Sequence, residues 1–521
     1  MALLGLLVFR SAPAADTTAP DAKPAQLFDI NEIDVYGSSV LPRVDIERSV
    51  YPFLGSARSS ETVQDAAKAL EKLYRDRGYG TVYVDIPEQT IEGGVVKLRV
   101  TEGRIERVSI RGARFFSERQ IRTQLPALVV GAVPHLPDVQ QELASVNARE
   151  PDRHVVPVLK AGSEPGTVAV DLNVNDQLPL HGSIEVDNRY TADTAHTRLS
   201  GSLSYDNFFG QQDSLSLQYQ TAPTNPSNAQ IGALTFVLRP QGWGSALAAY
   251  VLHSDSNVAA LGTLYVIGKG TVAGLRWIEP LPAPGPESSA SFSLAGEYKH
   301  FSQAVQVNST SGVSTPITYL NWSGQYALSH LGERNSTALN VSAALGLRGV
   351  VNDVVEFESN RAGARPDYFY LRGNVQSEQR LPGGLAIFGR AAGQWTGAPL
   401  INNEQFTLGG VDTVRGYLES EALGDTGWDG SLELRTPRVG ARLRALQGLY
   451  GYVFADAGAA DIIDPLPGQT ALVRIASLGF GLRREAARGF SESLDAADPR
   501  RAGPRTREGD WHAHFSVRYG F

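Results

Sequence analysis

The chain has 521 residues, with 47 Lys and Arg against 55 Asp and Glu, a net charge of −8 and no cysteine. That is more than one ordinary domain needs, the acidic balance disfavours a nucleic-acid partner, and the lack of thiols removes thiolate zinc, iron–sulfur and cysteine-nucleophile chemistry while suiting an oxidising compartment. Mean hydropathy is −0.17 and no apolar run beyond Arg10 approaches the ~20 residues of a membrane-spanning helix, which excludes a helical membrane protein but not a barrel, whose strands put only alternate residues into lipid.

Residues 1–15 pass from an apolar stretch, Leu3 to Phe9, to small residues ending at Ala14 and Ala15, like the second half of a secretory signal peptide. The positive first part of such a signal is missing, so the natural start is expected further upstream. Residues 16–27, rich in Ala, Pro, Asp and Lys, predict a linker.

Residues 28–103 and 104–178 repeat one pattern. The first copy opens with a strand, Phe28–Tyr36, stopped by Gly37. Helical stretches follow over about 42–53 and 60–77. In the second of these Val63, Ala66, Ala67, Leu70, Leu73 and Tyr74 share one face, and Gly78 ends it. Strands at Thr81–Ile86 and Val95–Val100 complete the unit. The second copy has a strand at Ile105–Arg111 before Gly112. Helices follow near Glu118–Leu125 and Asp138–Asn147, then strands at His154–Leu159 and Thr167–Val174.

A tandem β-α-α-β-β unit of this size resembles the POTRA domain (polypeptide-transport-associated). Tyr74-x-x-x-Gly78-Tyr79 followed by Ile86-Pro87-x-Gln89-x-Ile91-x-x-Gly94 is similar to the first such domain of two-partner secretion transporters. Asn147-x-x-x-Pro151 with Gly162-x-x-x-Gly166-Thr167 is similar to the second. A small sheet covered by helices on one face leaves an edge and a groove able to accept an extended peptide. Tyr79, Val82, Val84, Ile86 and Gln89 are the candidate client-binding residues. A passive spacer is the alternative.

From about residue 181 to 521 the sequence becomes a series of short alternating segments. In the last, Trp511, Ala513, Phe515, Val517, Tyr519 and Phe521 alternate with His512, His514, Ser516, Arg518 and Gly520, and Phe521 stands as a C-terminal barrel signature. Segments near 182–190, 196–206, 213–221, 229–239, 244–254, 269–280, 289–302, 316–329, 335–348 and 366–380 lead to six more, near 384–396, 428–436, 448–457, 471–483, 489–496 and 510–521. They predict an all-β transmembrane barrel of about sixteen antiparallel strands behind two α+β domains. Short turn-like pieces (Phe209–Asp213, Pro240–Gly244, Leu331–Asn335, Leu381–Gly384) fall on even connections, and the long polar stretches 349–365, 397–427 and 497–509 on odd ones, as periplasmic turns and outer loops should. His512 and His514 share a face and read as lumen-lining residues rather than a metal site. No nucleophile elbow, phosphate loop or zinc-protease spacing appears, so neither catalysis nor a cofactor is expected.

The loop 397–427 carries Phe406, Leu408, Val411, Val414 and Tyr417, too apolar for water, and is expected to fold inside. Arg415 would then need a carboxylate partner. Val414-Arg415-Gly416-Tyr417 resembles the sixth-loop signature of the POTRA-barrel superfamily, and Phe454-Ala-Asp456-Ala-Gly458 resembles its partner motif on strand thirteen. The resemblance implies that Asp456 pairs with Arg415 to hold the loop, with Phe454 and Gly458 facing the lumen beside it. Some members carry a plug helix ahead of the first domain, for which residues 16–27 are too short.

Over residues 28–521 the resemblance is to the transporters of two-partner secretion. It implies a Gram-negative outer-membrane barrel with periplasmic POTRA domains, exporting one large exoprotein of haemolysin or adhesin type. Outer-membrane lipid, lipopolysaccharide and the barrel-assembly machinery are the other expected partners. An outer-membrane insertase of the same superfamily and a diffusion porin remain the alternatives.

Overall fold

The computed structural model describes residues 27–192, 194–210, 212–226, 229–240, 242–256, 258–261, 264–305, 313–440, 446–485 and 489–521. The expected leader 1–15, and all of the linker 16–27 but Leu27, lie outside the described residues. Two compact units meet between Leu178 and Pro179.

The first unit holds two modules of one topology. Module one contains β1 (Phe28–Ile30), β2 (Glu32–Tyr36), α1 (Arg43–Val50), β3 (Gly55–Arg58), α2 (Ser60–Asp76), β4 (Val82–Asp85) and β5 (Val95–Glu102). Module two contains β6 (Arg104–Arg111), α3 (Glu118–Thr123), α4 (Leu136–Arg149), β7 (Arg153–Ala161) and β8 (Thr167–Asp176). The sheet orders, β2-β5-β4 and β6-β8-β7, are the same, and each opening strand lies parallel to the central one. The helical spacing read from the sequence is the buried one: Val63, Ala66, Ala67, Leu70 and Tyr74 of α2 pack on Val96, Leu98 and Val100. In module two Val139, Leu143 and Val146 pack on Val155, Val170 and Leu172.

The expected opening strand Phe28–Tyr36 is two strands. It breaks at Asn31, where the Asn31 and Glu32 amides both donate to Gly94 O, and β1 turns aside to pair with β3. Gly-Ser-Ala-Arg has no alternation, which is why β3 was invisible in the sequence.

Gly37 and Gly112 close the opening strands of the two modules at φ +90° and +89°. A Cβ at either would sit 2.3 Å from Val100 O or 2.4 Å from Val174 O, the carbonyls of the central strands. Backbone, not side chain, occupies that space, so neither position has a way to adjust.

The second unit is a closed barrel of sixteen antiparallel strands. In chain order the elements are β9 (Leu180–Asp187), β10 (Arg198–Asp206), β11 (Ser214–Thr221), β12 (Gln230–Leu238), β13 (Ala246–Ser254), the small hairpin β14 (Val258–Leu261) and β15 (Leu264–Ile267), β16 (Lys269–Leu281), β17 (Ser288–Val305), β18 (Val313–Leu331), β19 (Asn335–Gly346), α5 (Val354–Asn360), β20 (Phe369–Arg380) and β21 (Ala386–Thr396). The lesser pair β22 (Phe406–Leu408) and β23 (Ala422–Gly424) follows, then β24 (Thr426–Arg435), β25 (Leu449–Asp461), β26 (Leu472–Glu485), β27 (Phe490–Pro499) and β28 (His512–Gly520). Every one of the sixteen alternating segments is a wall strand. β28 closes on β9 from Ser516↔Asp187 to Gly520↔Ser183, extended by reciprocal bonds between Gly182 and Phe521.

Alternation sorts the two faces. On β24 the large apolar Trp428, Leu432 and Leu434 are exposed outward, while Asp429, Ser431, Glu433 and Arg435 are buried inward. On this strand the lumen side is therefore charged where the outside is oily, as a wall between lipid and water allows.

Two expectations about connections need correction. The stretch 349–365 is not a polar loop in water: it contains α5, capped by Asp353 Oδ1 on the Val355 and Glu356 amides (2.7 and 3.1 Å), with Phe357 fully buried. The even connection 436–448 is longer than parity predicts, because Thr436 and Val439 go on pairing with Gly451 and Leu449 beyond the wall.

The glycine positions give a test. Gly37→Ala and Gly112→Ala should each cost their own module more than about 1 kcal/mol, from left-handed strain alone, with the carbonyl clash added. Limited proteolysis should show faster loss of the modules with unchanged heat-modifiability of the barrel.

Candidate functional site

The site is the loop between β21 and β24, folded against the inner faces of β24, β25, β26 and β27. A tight turn builds its tip: the Gly410 amide donates to Val414 O, the Thr413 amide to Gly410 O, and Gly409 N–H to Thr413 Oγ1 at 2.8 Å. Val414 and Tyr417 are fully buried with Phe406, Leu408, Ala422, Ala460 and Ile475, a small apolar core inside the barrel. Tyr417 Oη lies 2.7 Å from Arg501 O and 2.9 Å from Ala476 O.

Between these apolar anchors stands Arg415, 3% exposed. Its Nε and Nη2 donate side-on to Asp456 Oδ2 and Oδ1 at 2.8 and 2.9 Å, and its backbone N–H donates to the same carboxylate at 3.1 Å. Nη1 donates to Glu433 Oε1 at 2.7 Å and lies 3.5 Å from Asp495 Oδ1, and Nη2 donates to Ser431 Oγ at 2.9 Å. The guanidinium lies over the Phe454 ring, 3.5 Å from its centroid. Arg435 and Arg483 share Glu433, and Tyr452 donates to Asp495. Three cations thus meet three buried carboxylates, with Arg415 at the dry centre and Arg483 at the wetter margin. Burial opposes the Arg415 charge, but Asp456 above all, then Glu433 and Asp495, raise its pKa above the ordinary arginine value.

The strand motif has a job for each residue. Phe454, Asp456 and Gly458 face inward on β25. Phe454 is the platform and Asp456 the fork. Gly458 leaves room, since a Cβ there would lie 2.5 Å from Leu408 Cδ1 and 2.8 Å from Trp428 O. Gly416, at φ +90°, turns the loop so that its amide meets His514 Nε2 at 3.2 Å, and a Cβ would press on Ala497 at 3.0 Å. Sequence reasoning missed Glu433, Asp495, Ser431 and the His514 contact. All four lie on inward parity positions of wall strands, so parity plus charge was the available signal.

The candidate client-binding residues fare differently. Val82 is buried in the core of module one, where Tyr79 and Val84 also pack. Val82 therefore offers no side chain at the surface, as its parity on β4 requires, whereas Tyr79 and Val84 are only half-buried. Gln89 is engaged as well: its amide accepts from Lys97 N–H at 2.7 Å and donates to Lys97 O at 2.9 Å, standing in for a strand beside β5. Ile86 is exposed, and so is Tyr83, which the sequence reading passed over.

Residues 166–484 match the family described as haemolysin secretion/activation protein ShlB/FhaC/HecB. The chain belongs to this family. Residues 28–103 also match the POTRA domain of ShlB type. Among curated relatives, the outer membrane transporter CdiB of Dickeya dadantii (strain 3937) is 25% identical over 430 residues, covering 79% of this chain and 73% of the relative. The heme/hemopexin transporter protein HuxB of Haemophilus influenzae (strain ATCC 51907 / DSM 11121 / KW20 / Rd) is 20% identical over 411 residues, 78% and 70% of the two chains. Solved structures share the fold. CdiB from Escherichia coli gives a TM-score of 0.56 at 20% identity over 98% of this chain and 94% of that one. BamA from Haemophilus ducreyi lacking POTRA domains 1–3 gives 0.60 at 14% over 95% and 100%. The family is one of outer-membrane transporters for two-partner secretion, not of enzymes, and its POTRA domains lie in the periplasm.

Two substitutions separate charge from shape at the loop. Asp456→Ala strips the bidentate partner from a buried guanidinium, a change that costs about 3–5 kcal/mol. Gly458→Val leaves every charge in place but fills the seat of Leu408. Both should make the Arg415–Gly416 bond cleavable by trypsin in the purified protein, and the wild type should resist.

Proposed function

We propose that this family member exports one large secreted exoprotein, of haemolysin or adhesin type, across the outer membrane, and that the loop bearing Arg415 is the latch of the conduit. The observation carrying this reading is the Arg415–Asp456 pair with its surrounding acids: a charge network inside the lumen that obstructs a pore while leaving its wall intact. Val414, Gly416 and Tyr417 shape the latch, and Phe454 and Gly458 receive it. Lipid and lipopolysaccharide around the outward apolar belt, and the barrel-assembly machinery during insertion, are the further proposed partners.

Capture of the client falls to the free edge of β4. The Gly103 amide donates to Thr81 O, which sets the β4–β5 phase so that Val84 turns its backbone N–H and C=O away from β5. Exposed Tyr83 and Ile86 flank that edge. An extended client segment can add there as a strand, with backbone bonds giving affinity and side chains giving selectivity.

Arg415→Ala should abolish or sharply cut client secretion while the barrel remains inserted and heat-modifiable. Normal secretion by that variant would sink the latch role. Replacing Tyr83 and Ile86 by Glu should lower client capture, read by co-purification, without changing barrel insertion. A knockout that depletes one secreted protein fits export, whereas loss of many outer-membrane barrels would make the chain an insertase.

A further inference from the structure

Another described connection, 349–365 between β19 and β20, packs Phe357 against the inner wall and takes no part in the Arg415 network. Its helix α5 places Phe357 against Tyr319 and Tyr368, with ring centroids 5.6 and 6.0 Å apart. The inner wall beside it carries an apolar stretch, Leu252, Val272, Phe301, Ile317 and Tyr319, all buried and on inward parity, with the Lys299–Glu297 and Lys299–Glu404 pairs (3.3 and 2.7 Å) set within it. An apolar wall facing a wet lumen needs a cover, and Phe357 of α5 supplies part of it, together with Leu400 and Ile401 from the loop after β21.

Its fastenings are specific. β18 pairs with β19 only as far as Asn321↔Gly346, which leaves the next part of the β18 edge open. Asn352 Oδ1 accepts from Leu320 N–H at 2.7 Å while its Nδ2 donates to Leu320 O at 3.2 Å. Glu356 accepts from Thr318 N–H at 2.8 Å, and Asn360 donates to Thr315 O at 3.4 Å. At the far end Arg361 forms a two-pronged pair with Asp425, Nη2 donating to Oδ2 at 2.7 Å and Nη1 to Oδ1. Asp425, fully buried, also accepts from the amides of Leu400 and Ile463 at 2.9 and 2.8 Å and from Gln405 Nε2 at 3.2 Å. One carboxylate therefore ties α5 to the root of the Arg415 loop and to the connection after β25.

The two ion-pair networks have no acid in common: Arg415 uses Asp456, Glu433 and Asp495, while Arg361 uses Asp425. Loss of the Arg415 side chain breaks none of the hydrogen bonds that hold α5, because Leu400 and Asp425 belong to the root of that loop, beside β21 and β24, and not to its tip. We propose that α5 is a second stopper of the lumen, latched by Arg361 and Asp425, which has to be released separately from the Arg415 loop before the conduit opens fully. This rests on the export reading, and the test uses no client so that the two can fail independently.

The purified full chain is placed in planar bilayers, and conductance is compared for wild type, Arg415→Ala, Arg361→Ala and the double variant. Each single variant keeps one stopper seated. The double variant should show at least about tenfold more open time than either single one, given what a broken buried pair costs. A second arm adds Thr315→Cys and Asn360→Cys to the double variant, giving the chain its only two thiols, and bridges them with a short bis-methanethiosulfonate reagent. Bridging should return conductance to the single-variant level, and reductant should restore it. Conductance of Arg415→Ala equal to that of the double variant, a double variant as closed as wild type, or a bridge without effect would each overturn the proposal.

Discussion

A guanidinium removed from water costs several kcal/mol unless carboxylates and hydrogen bonds replace its hydration, and the inner wall of this barrel is organised around that requirement at Arg415. Asp456 meets it side-on, Glu433 and Asp495 supply the remaining charge, and Phe454 offers a ring face. Because the acids sit on three different wall strands, one loop side chain ties together β24, β25 and β27. The seat is stable only when complete: a missing acid leaves a buried cation, and a missing arginine leaves crowded carboxylates. Breaking such a site is costly at either partner, which suits the latch role proposed for it.

Small residues let the charges meet. Gly458 admits Leu408, Gly416 turns the backbone toward His514, and Ala497 stands under Gly416. The same rule governs the periplasmic modules, where Gly37 and Gly112 sit under the carbonyls of Val100 and Val174. Repetition of that detail in two modules of unlike sequence shows that the close approach of backbone belongs to the module's design. Edges are managed with side-chain amides: Gln89 covers Lys97, Asn147 covers Val155, and Asn352 covers Leu320, each giving and accepting one bond as a neighbouring strand would. Among the described residues the edge of β4 has no such side-chain cover beside Val84, which is what the proposed strand addition uses.

Legibility in the sequence followed the range of the interaction. The helical face of α2, the stop at Gly78 and the sixteen wall strands are written in periods of 3.6 and 2.0, which need only neighbouring residues to read. The Arg415 and Asp456 positions were accessible through motif resemblance. Glu433 and Asp495 were not, since a lumen-facing acid looks the same in sequence whether it lines water or grips an arginine. β3 lacks alternation, and α5 lies in a stretch polar enough to pass for a loop; Phe357, which betrays it, gains meaning only from its packing on Tyr319 of β18 and on Tyr368.

Alternation therefore determined, from the chain alone, that a closed wall with an oily outside and a charged inside would form, because each strand sorts its own residues by the pleat. It also determined that two small α+β modules precede the wall. Which inward charges touch, which stretch of wall is covered by α5, and which acid binds which arginine were decided by closure of the barrel. Curving sixteen strands into a ring brings residues eighty positions apart, such as Arg415 and Asp495, within reach, and no local pattern records the curvature that places them there.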